Sequence, residues 1–287
     1  MAEVLTAMSL PLVSAIVLNY RSPKDTVNCV QALLAQTLAT GDSCTSDWLE
    51  VIVVDNHSQD DSIGSIRNRL KDPRVRIVET RDNIGYGKGN ALGIQHARGE
   101  FLIIINPDNE LPPDGAATLI NALKADPTIG IIAPKLVFPD GSVRDSFRSF
   151  PSMLDVIAKR SALGGMLQDR LRRYLKSDAD SSAIQDTDWV VGACMLLRKK
   201  FYEELGGFDH RFFLFFEDID LCRRCWQSGK RVVYYPLVTV LDRKARLSEG
   251  GVWSLITRKV GRAHLASAMK YFWKWNIARA EKGSCGR

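Results

Sequence analysis

Apolar residues in this chain come in short, saturated runs, and each run breaks off abruptly into polar residues. The first, residues 13–18, stops at Asn19 and Tyr20; the second, 49–54, ends on Asp55; a third covers 75–78. The fourth, Phe-Leu-Ile-Ile-Ile at 101–105, gives way to Asn106, Asp108, Asn109 and Glu110. The fourth run is short and branched enough to predict a strand buried on both faces; the first reads as a buried strand, and the second and third as strands. Pro107 has no amide hydrogen to continue a central ladder, so the fourth strand must end there.

Between the runs the apolar period changes. Val27, Val30, Leu33 and Leu34 recur at helical spacing after Ser22, a cap, and Pro23, a first-turn residue, with Asp25 beside them. Further helices are predicted over about 87–97 and 112–125, and another strand over 129–138. Strands alternating with helices at this spacing predict an α/β fold with a mostly parallel central sheet. The pattern weakens over 150–186, where Lys159, Arg160, Arg170, Arg172, Arg173 and Lys176 gather. This segment reads first as a solvated helical insertion, and otherwise as a flap meeting an anionic ligand. Order returns with an apolar run at 189–197, a helix beginning near Glu217, and strands at 232–235 and 238–241.

The glycines of residues 81–93 invite a phosphate-loop reading that fails on spacing, because neither G-x-G-x-x-G nor G-x-x-x-x-G-K-[ST] is present. The six cysteines lack a disulfide-framework spacing, as expected in a reducing cytosol. Cys222 and Cys225 have no second pair and read as two positions on one helix face. No apolar run approaches the roughly 20 residues of a membrane span, and the first ten residues have no basic start of the kind a signal peptide carries. These features predict a cytoplasmic protein.

Charge divides the chain. Residues 243–287 hold 11 Lys/Arg against 2 Asp/Glu, whereas residues 1–242 hold 28 against 31. The expectation is one domain over 1–242, with 1–140 a nucleotide-binding half and 141–242 an acceptor half, followed by a basic helical tail over 243–287. The tail's cluster of aromatic residues and lysines at 271–275 suits the headgroup region of an anionic membrane. The competing reading packs Trp273 and Trp275 on the body or on a second subunit of a homodimer. No nucleic-acid-binding motif accompanies the charge.

Two acidic centres carry the candidate chemistry. In an open parallel sheet, ligands bind beyond the carboxyl ends of the strands, so Asp55 and the Asn106–Glu110 segment belong there. Oxygen ligands of this kind suit a hydrated divalent cation with bound phosphates. The second centre is Glu217, Asp218 and Asp220, behind four phenylalanines in residues 212–216. An apolar wall raises a carboxylate pKa toward values useful for a general base.

Eight pieces in order resemble the inverting glycosyltransferases of family 2, which have the GT-A fold. They are Ala15-Ile-Val-Leu-Asn-Tyr20, Val53-Val-Asp-Asn56, Asn83-Ile-Gly-Tyr86, Asn106-Pro-Asp108, Asp140-Gly141, Gly192-Ala193, Gly206-Gly207-Phe208-Asp209 and Glu217-Asp-x-Asp-Leu-Cys-x-Arg224. Within the family the chain is most similar to bacterial rhamnosyltransferase-like members. The resemblance implies a nucleotide diphosphate sugar (dTDP-rhamnose first, UDP-sugars second) bound by Asn19, Tyr20, Asp55, Asn83, Gly85, Asn106 and Asp108. It implies Mg2+ or Mn2+ on Asp108, and Asp218 as the base that deprotonates a hydroxyl of a glycan or lipid-linked acceptor. Glu217 and Asp220 would then contact the acceptor. Such an enzyme would work in the cytoplasm, peripherally at the inner face of the cell membrane.

Two positions depart from the family pattern. Asn106 replaces the first aspartate of its D-x-D, and Asp242 stands where many members carry a late histidine. Asp242 is therefore expected as a second metal ligand, with His264 the alternative phosphate contact. The competing functions are a nucleotidyltransferase activating a sugar phosphate and a non-catalytic sugar-binding homologue. Asn19-Tyr-Arg-Ser-Pro23 has no glycine for the former's phosphate loop, and the carboxylates at 108, 217, 218 and 220 weigh against the latter.

Overall fold

A computed structural model describes residues 11–37, 48–159, 165, 167–243 and 259–284. Residues 1–10, the loop at 40–47, Arg160 and the tail residues 244–258 and 285–287 lie outside the described residues.

Strands β1 (Val13–Asn19), β2 (Leu49–Asp55), β3 (Val75–Glu79) and β4 (Phe101–Ile105) run parallel in the order β3-β2-β1-β4. Every residue of β1, β2 and β4 is buried, which is why these runs show no polar alternation. Helices α1 (Pro23–Leu34), α2 (Ser62–Arg69) and α3 (Tyr86–Gln95) connect them. The strand order reverses at β1, which puts the switch point, where open α/β sheets bind their ligands, beyond the carboxyl ends of β1 and β4. The predicted donor residues lie at that edge.

The sheet continues without a break into the second half. After β4 come β5 (Asn109–Glu110), α4 (Gly115–Ala125), β6 (Ile129–Val137), β7 (Phe147–Arg148), α5 (Met153–Ala158), α6 (Gln168–Leu175), β8 (Gln185–Asp186) and β9 (Trp189–Val190). Then follow β10 (Cys194–Arg198), α7 (Lys199–Glu204), α8 (Glu217–Gln227), β11 (Arg231–Asp242) and α9 (Lys259–Ser284). Strand β10 is antiparallel to both β4 and β6; β11 runs parallel to β6, and β5 closes on β11.

The apolar run at 189–197 is two strands in two sheets: β9 pairs with β7, and β10 enters the main sheet after a turn at Gly192. Conversely, the two strands expected near the end of the body are one, β11. Its register slips between Tyr235 and Thr239, across Pro236, which has no amide hydrogen to donate. In the basic segment, Arg170 pairs with Asp155 at 2.7 Å and Arg172 with Asp178 at 2.8 Å, so two of its arginines serve local structure.

Helix α9 is packed on the body rather than appended to it. Its Ala268, Tyr271 and Trp275 are buried in one apolar cluster with Phe216, Ile219 and Cys222 of the α8 region. The tail thus contributes to the core beneath the second acidic centre. Among the described residues no helix is long and apolar enough to cross a membrane.

Candidate active site

On the donor side, Asn19 organises the end of β1. Its amide donates to Asp55 Oδ1 at 2.6 Å and Ser58 Oγ at 3.2 Å, and its carbonyl oxygen accepts from the Ser22 amide and the Thr26 hydroxyl. Asn19, and not Ser22, therefore supplies the side-chain hydrogen bonds at the start of α1. Asp55 Oδ2 accepts from the Ser58 amide, which fixes the carboxylate at the β2 terminus. Tyr20 is exposed beside it, with the Arg21 guanidinium over its ring. Asn83 is held by Asn56 Nδ2 at 3.0 Å and itself accepts from the Gly85 amide at 3.1 Å.

Gly85 ties this donor loop to the second half. Its φ is +86°, and a Cβ there would lie 2.2 Å from the Phe213 carbonyl oxygen. That same oxygen accepts from the Tyr86 amide at 2.8 Å.

At the end of β4 the chain hooks onto the Gly192–Ala193 turn. The Ala193 carbonyl accepts from the Asn106 amide at 2.7 Å and from Asn109 Nδ2 at 3.3 Å. The Gly192 amide donates to Asp218 Oδ2 at 3.0 Å, while its carbonyl accepts from the Tyr86 hydroxyl at 2.5 Å. One two-residue turn thereby joins the β4 terminus, the donor loop and the candidate base. Burial raises the Tyr86 pKa well above its ordinary value, and the negative charges of Glu217, Asp218 and Asp108 raise it further. Asp108 and the α8 carboxylates thus all lie near enough to Tyr86 for their charges to act on it.

Helix α8 begins directly after two residues in left-handed conformation, Phe215 (φ 68°) and Phe216 (φ 69°). For bulky side chains this costs about 1–2 kcal/mol each, and such outliers gather at functional sites. Phe216 is held by the rings of His264, Tyr271 and Phe272 of α9. Burial raises the Glu217 pKa, and the neighbouring Asp218 charge adds to this. Burial also raises that of Asp218, against the amides of Gly192 and Ile219 and the positive charge of Arg148. A carboxyl whose pKa is raised in this way suits a general base.

Two expected residues have charged partners of their own. Asp220, expected at the acceptor, is fully buried and turned toward α9. It pairs with Arg224 at 2.9 Å and Lys274 at 2.6 Å, and accepts from the Trp275 indole at 3.0 Å. Residues two apart on a helix point away from each other, so Asp218 and Asp220 cannot serve one pocket. Asp242, expected on the metal, is fully buried and ion-paired with Arg144. It also stands next to the Asp108 turn: β11 pairs Asp242 with Asn109, and the Arg243 amide donates to the Asp108 carbonyl at 2.9 Å. His264 packs on Phe215 and Phe216, just ahead of Glu217 and Asp218.

The remaining donors fit a hydrated Mg2+ or Mn2+. Asn106 Oδ1 and Asn109 Oδ1 are buried without a hydrogen-bond partner, in the same turn as Asp108. Among the described residues no group of three or more His, Cys, Asp or Glu could hold a metal. Asp108 would thus act with amide oxygens, water and phosphate, a mode that suits Mg2+, which keeps several waters. Sequence reasoning gave no role to Tyr86, Gly192 or Arg148. Tyr86 and Gly192 stood within quoted motifs, but Arg148 carried no local signal.

Residues 14–206 match the family model described as Glycosyl transferase family 2. An N-acetylglucosaminyl-diphospho-decaprenol L-rhamnosyltransferase of Mycobacterium tuberculosis is 30% identical over 229 residues, covering 74% of this chain and 72% of the relative. Rhamnosyltransferase WbbL of Escherichia coli K12 is 26% identical over 188 residues, covering 60% of this chain and 67% of the relative. Among solved structures, the mannosyltransferase PcManGT of Pyrobaculum calidifontis, in complex with GDP-Man and Mn2+, aligns with a TM-score of 0.56 at 21% identity. That alignment covers 91% of this chain and 65% of that one. GalNAc-T7 with UDP, GalNAc and Mn2+ aligns with a TM-score of 0.57 at 17% identity, covering 85% of this chain and 45% of that one. The fold is GT-A, and the chain belongs to glycosyl transferase family 2, where it resembles bacterial rhamnosyltransferases.

Proposed function

We propose that this glycosyltransferase moves a sugar, with dTDP-rhamnose the first donor to test and UDP-sugars the second, onto a hydroxyl of a glycan or lipid-linked acceptor in cell-surface polysaccharide synthesis. The observation that carries the reading is the Gly192–Ala193 turn, which binds the Asn106 amide on one side and the Asp218 carboxylate on the other. Asp218 takes the proton from the acceptor hydroxyl as that oxygen attacks the anomeric carbon, and a single displacement inverts the centre. The Gly192 and Ile219 amides hold its two oxygens and fix the direction of attack. Asn19, Asp55 and Asn83 form the rigid rim that receives the nucleotide, and Tyr20 stands exposed beside it. Mg2+ or Mn2+, when bound at Asp108, supplies charge stabilisation to the departing diphosphate. The M. tuberculosis relative is named for a lipid-diphosphate acceptor, which supports an acceptor of that class and work at the inner face of the cell membrane.

Calorimetric titration tests the assignment. Asp108→Ala should lose Mn2+-dependent binding of dTDP-rhamnose while its melting temperature stays unchanged. Wild-type donor affinity and metal dependence in that variant would refute the role of Asp108.

A further inference from the structure

Helix α9 resolves its aromatic cluster into two faces. Tyr271 and Trp275 turn into the body, while Leu265, Met269 and Trp273 stand 41%, 55% and 65% exposed. These three recur every fourth residue and form one stripe along the outside of the helix. A row of large apolar side chains on an otherwise packed helix requires an occupant.

We propose that this stripe is a docking surface for an anionic lipid bilayer, on which the helix lies flat with its apolar side chains at the headgroup boundary. Charge selects the occupant. Arg262 and Lys270 are exposed along the same helix, and residues 250–280 contain no Asp or Glu. Two copies of so basic a surface repel one another, whereas anionic headgroups attract it by about 1 kcal/mol per Lys or Arg near the surface. Interfacial helices combine these two elements, an apolar stripe and flanking cations.

The placement joins binding to chemistry. Ser267 Oγ donates to the Leu214 carbonyl at 2.9 Å and Lys270 Nζ to the Arg211 carbonyl at 2.9 Å. The docking helix therefore lies on the loop that runs straight into Glu217 and Asp218. A bilayer beneath α9 brings a lipid-linked hydroxyl acceptor to the edge of the catalytic crevice. This inference deepens the proposed acceptor class and rests on that reading.

Vesicle flotation of the full chain tests it, with donor-sugar hydrolysis measured in parallel. The wild type should float with phosphatidylglycerol-containing vesicles, be released by about 0.5 M salt, and stay behind with pure phosphatidylcholine. Met269→Glu/Trp273→Glu should weaken flotation by roughly tenfold or more, with hydrolysis and melting temperature retained. Trp273→Phe should float like the wild type. Equal, salt-insensitive recovery with both vesicle types, or recovery with neither, would overturn the proposal. So would a dimer in sedimentation that Trp273→Glu dissociates. Loss of docking alone leaves hydrolysis intact, whereas failure of the glycosyltransfer reading shows as no hydrolysis of any nucleotide sugar, so the two failures are distinguishable.

Discussion

Gly85→Ala tests whether the donor loop and the acceptor half are joined by close backbone approach. The residue has φ +86° and ψ 174°, a region that only glycine occupies freely. Alanine there costs about 1–3 kcal/mol in conformation alone. Its Cβ would also lie 2.2 Å from the Phe213 carbonyl oxygen, which must retreat by roughly 1 Å to reach a tolerable contact. Retreat breaks the 2.8 Å bond from the Tyr86 amide, a further ~1 kcal/mol. Together these give about 2–4 kcal/mol, or a melting temperature lower by roughly 5–15 °C for a body of this size. The shift also drags Tyr86 from Gly192, and a displacement of about 1 Å in a catalytic frame can cost up to a hundredfold in turnover. Gly141→Ala is the control: its φ is +82° but nothing lies within 4 Å of the added carbon. It should lose only the conformational part, about 1 kcal/mol, and keep full turnover. Thermal melting of both variants beside the wild type, with kcat for each, gives the comparison. A Gly85→Ala protein melting no lower than Gly141→Ala would refute the reasoning, because the close approach would then contribute nothing.

Asp218→Asn should leave donor binding intact and cut turnover by roughly a hundredfold or more. Glu217→Gln, which mimics a protonated acid, should lose far less; the reverse order in a turnover assay would move the base to Glu217. Since burial raises both α8 carboxyls, kcat/KM should climb with pH through a midpoint above the ordinary carboxylate range near 4. A midpoint at or below 4 would contradict the buried base. In the same window the native state keeps protons that the unfolded chain has released. That contribution to stability is therefore full below the unfolded pKa and fades as pH rises through the folded one, which denaturant titrations at several pH values would follow. Lys274→Met removes one partner of buried Asp220 but leaves Arg224 and the Trp275 indole. It should cost about 1–3 kcal/mol, below the figure for a bare buried charge, with Lys274→Arg recovering part; unchanged melting of Lys274→Met would show that the lysine is not needed.

The donor half was legible because its strands are short apolar runs with polar ends, and Pro107 marks where β4 must stop. Its parallel order follows from the helix between each pair. The Gly192 turn was hidden inside an unbroken apolar run, since one glycine among valines gives no polar signal. The contrast between Asp218 and Asp220 was available from helix geometry, because residues two apart face opposite sides. What each faces was not, because two of the partners of Asp220, Lys274 and Trp275, lie on α9, the indole 55 residues later. The Arg144–Asp242 pair spans 98 residues with no local pattern to announce it. Asp242 was therefore read as an acid without its counter-ion.

The order of synthesis gives the packing of α9 a temporal meaning. The residues it braces, among them Phe216, Ile219, Asp220 and Cys222, leave the ribosome first. The body is therefore synthesised while it still lacks this brace. Until α9 is translated, Asp220 has no lysine or indole beside it, and Phe216 has no rings to hold its left-handed turn. In a nascent chain the start of α8 is thus unbraced, and its support comes only once α9 is made.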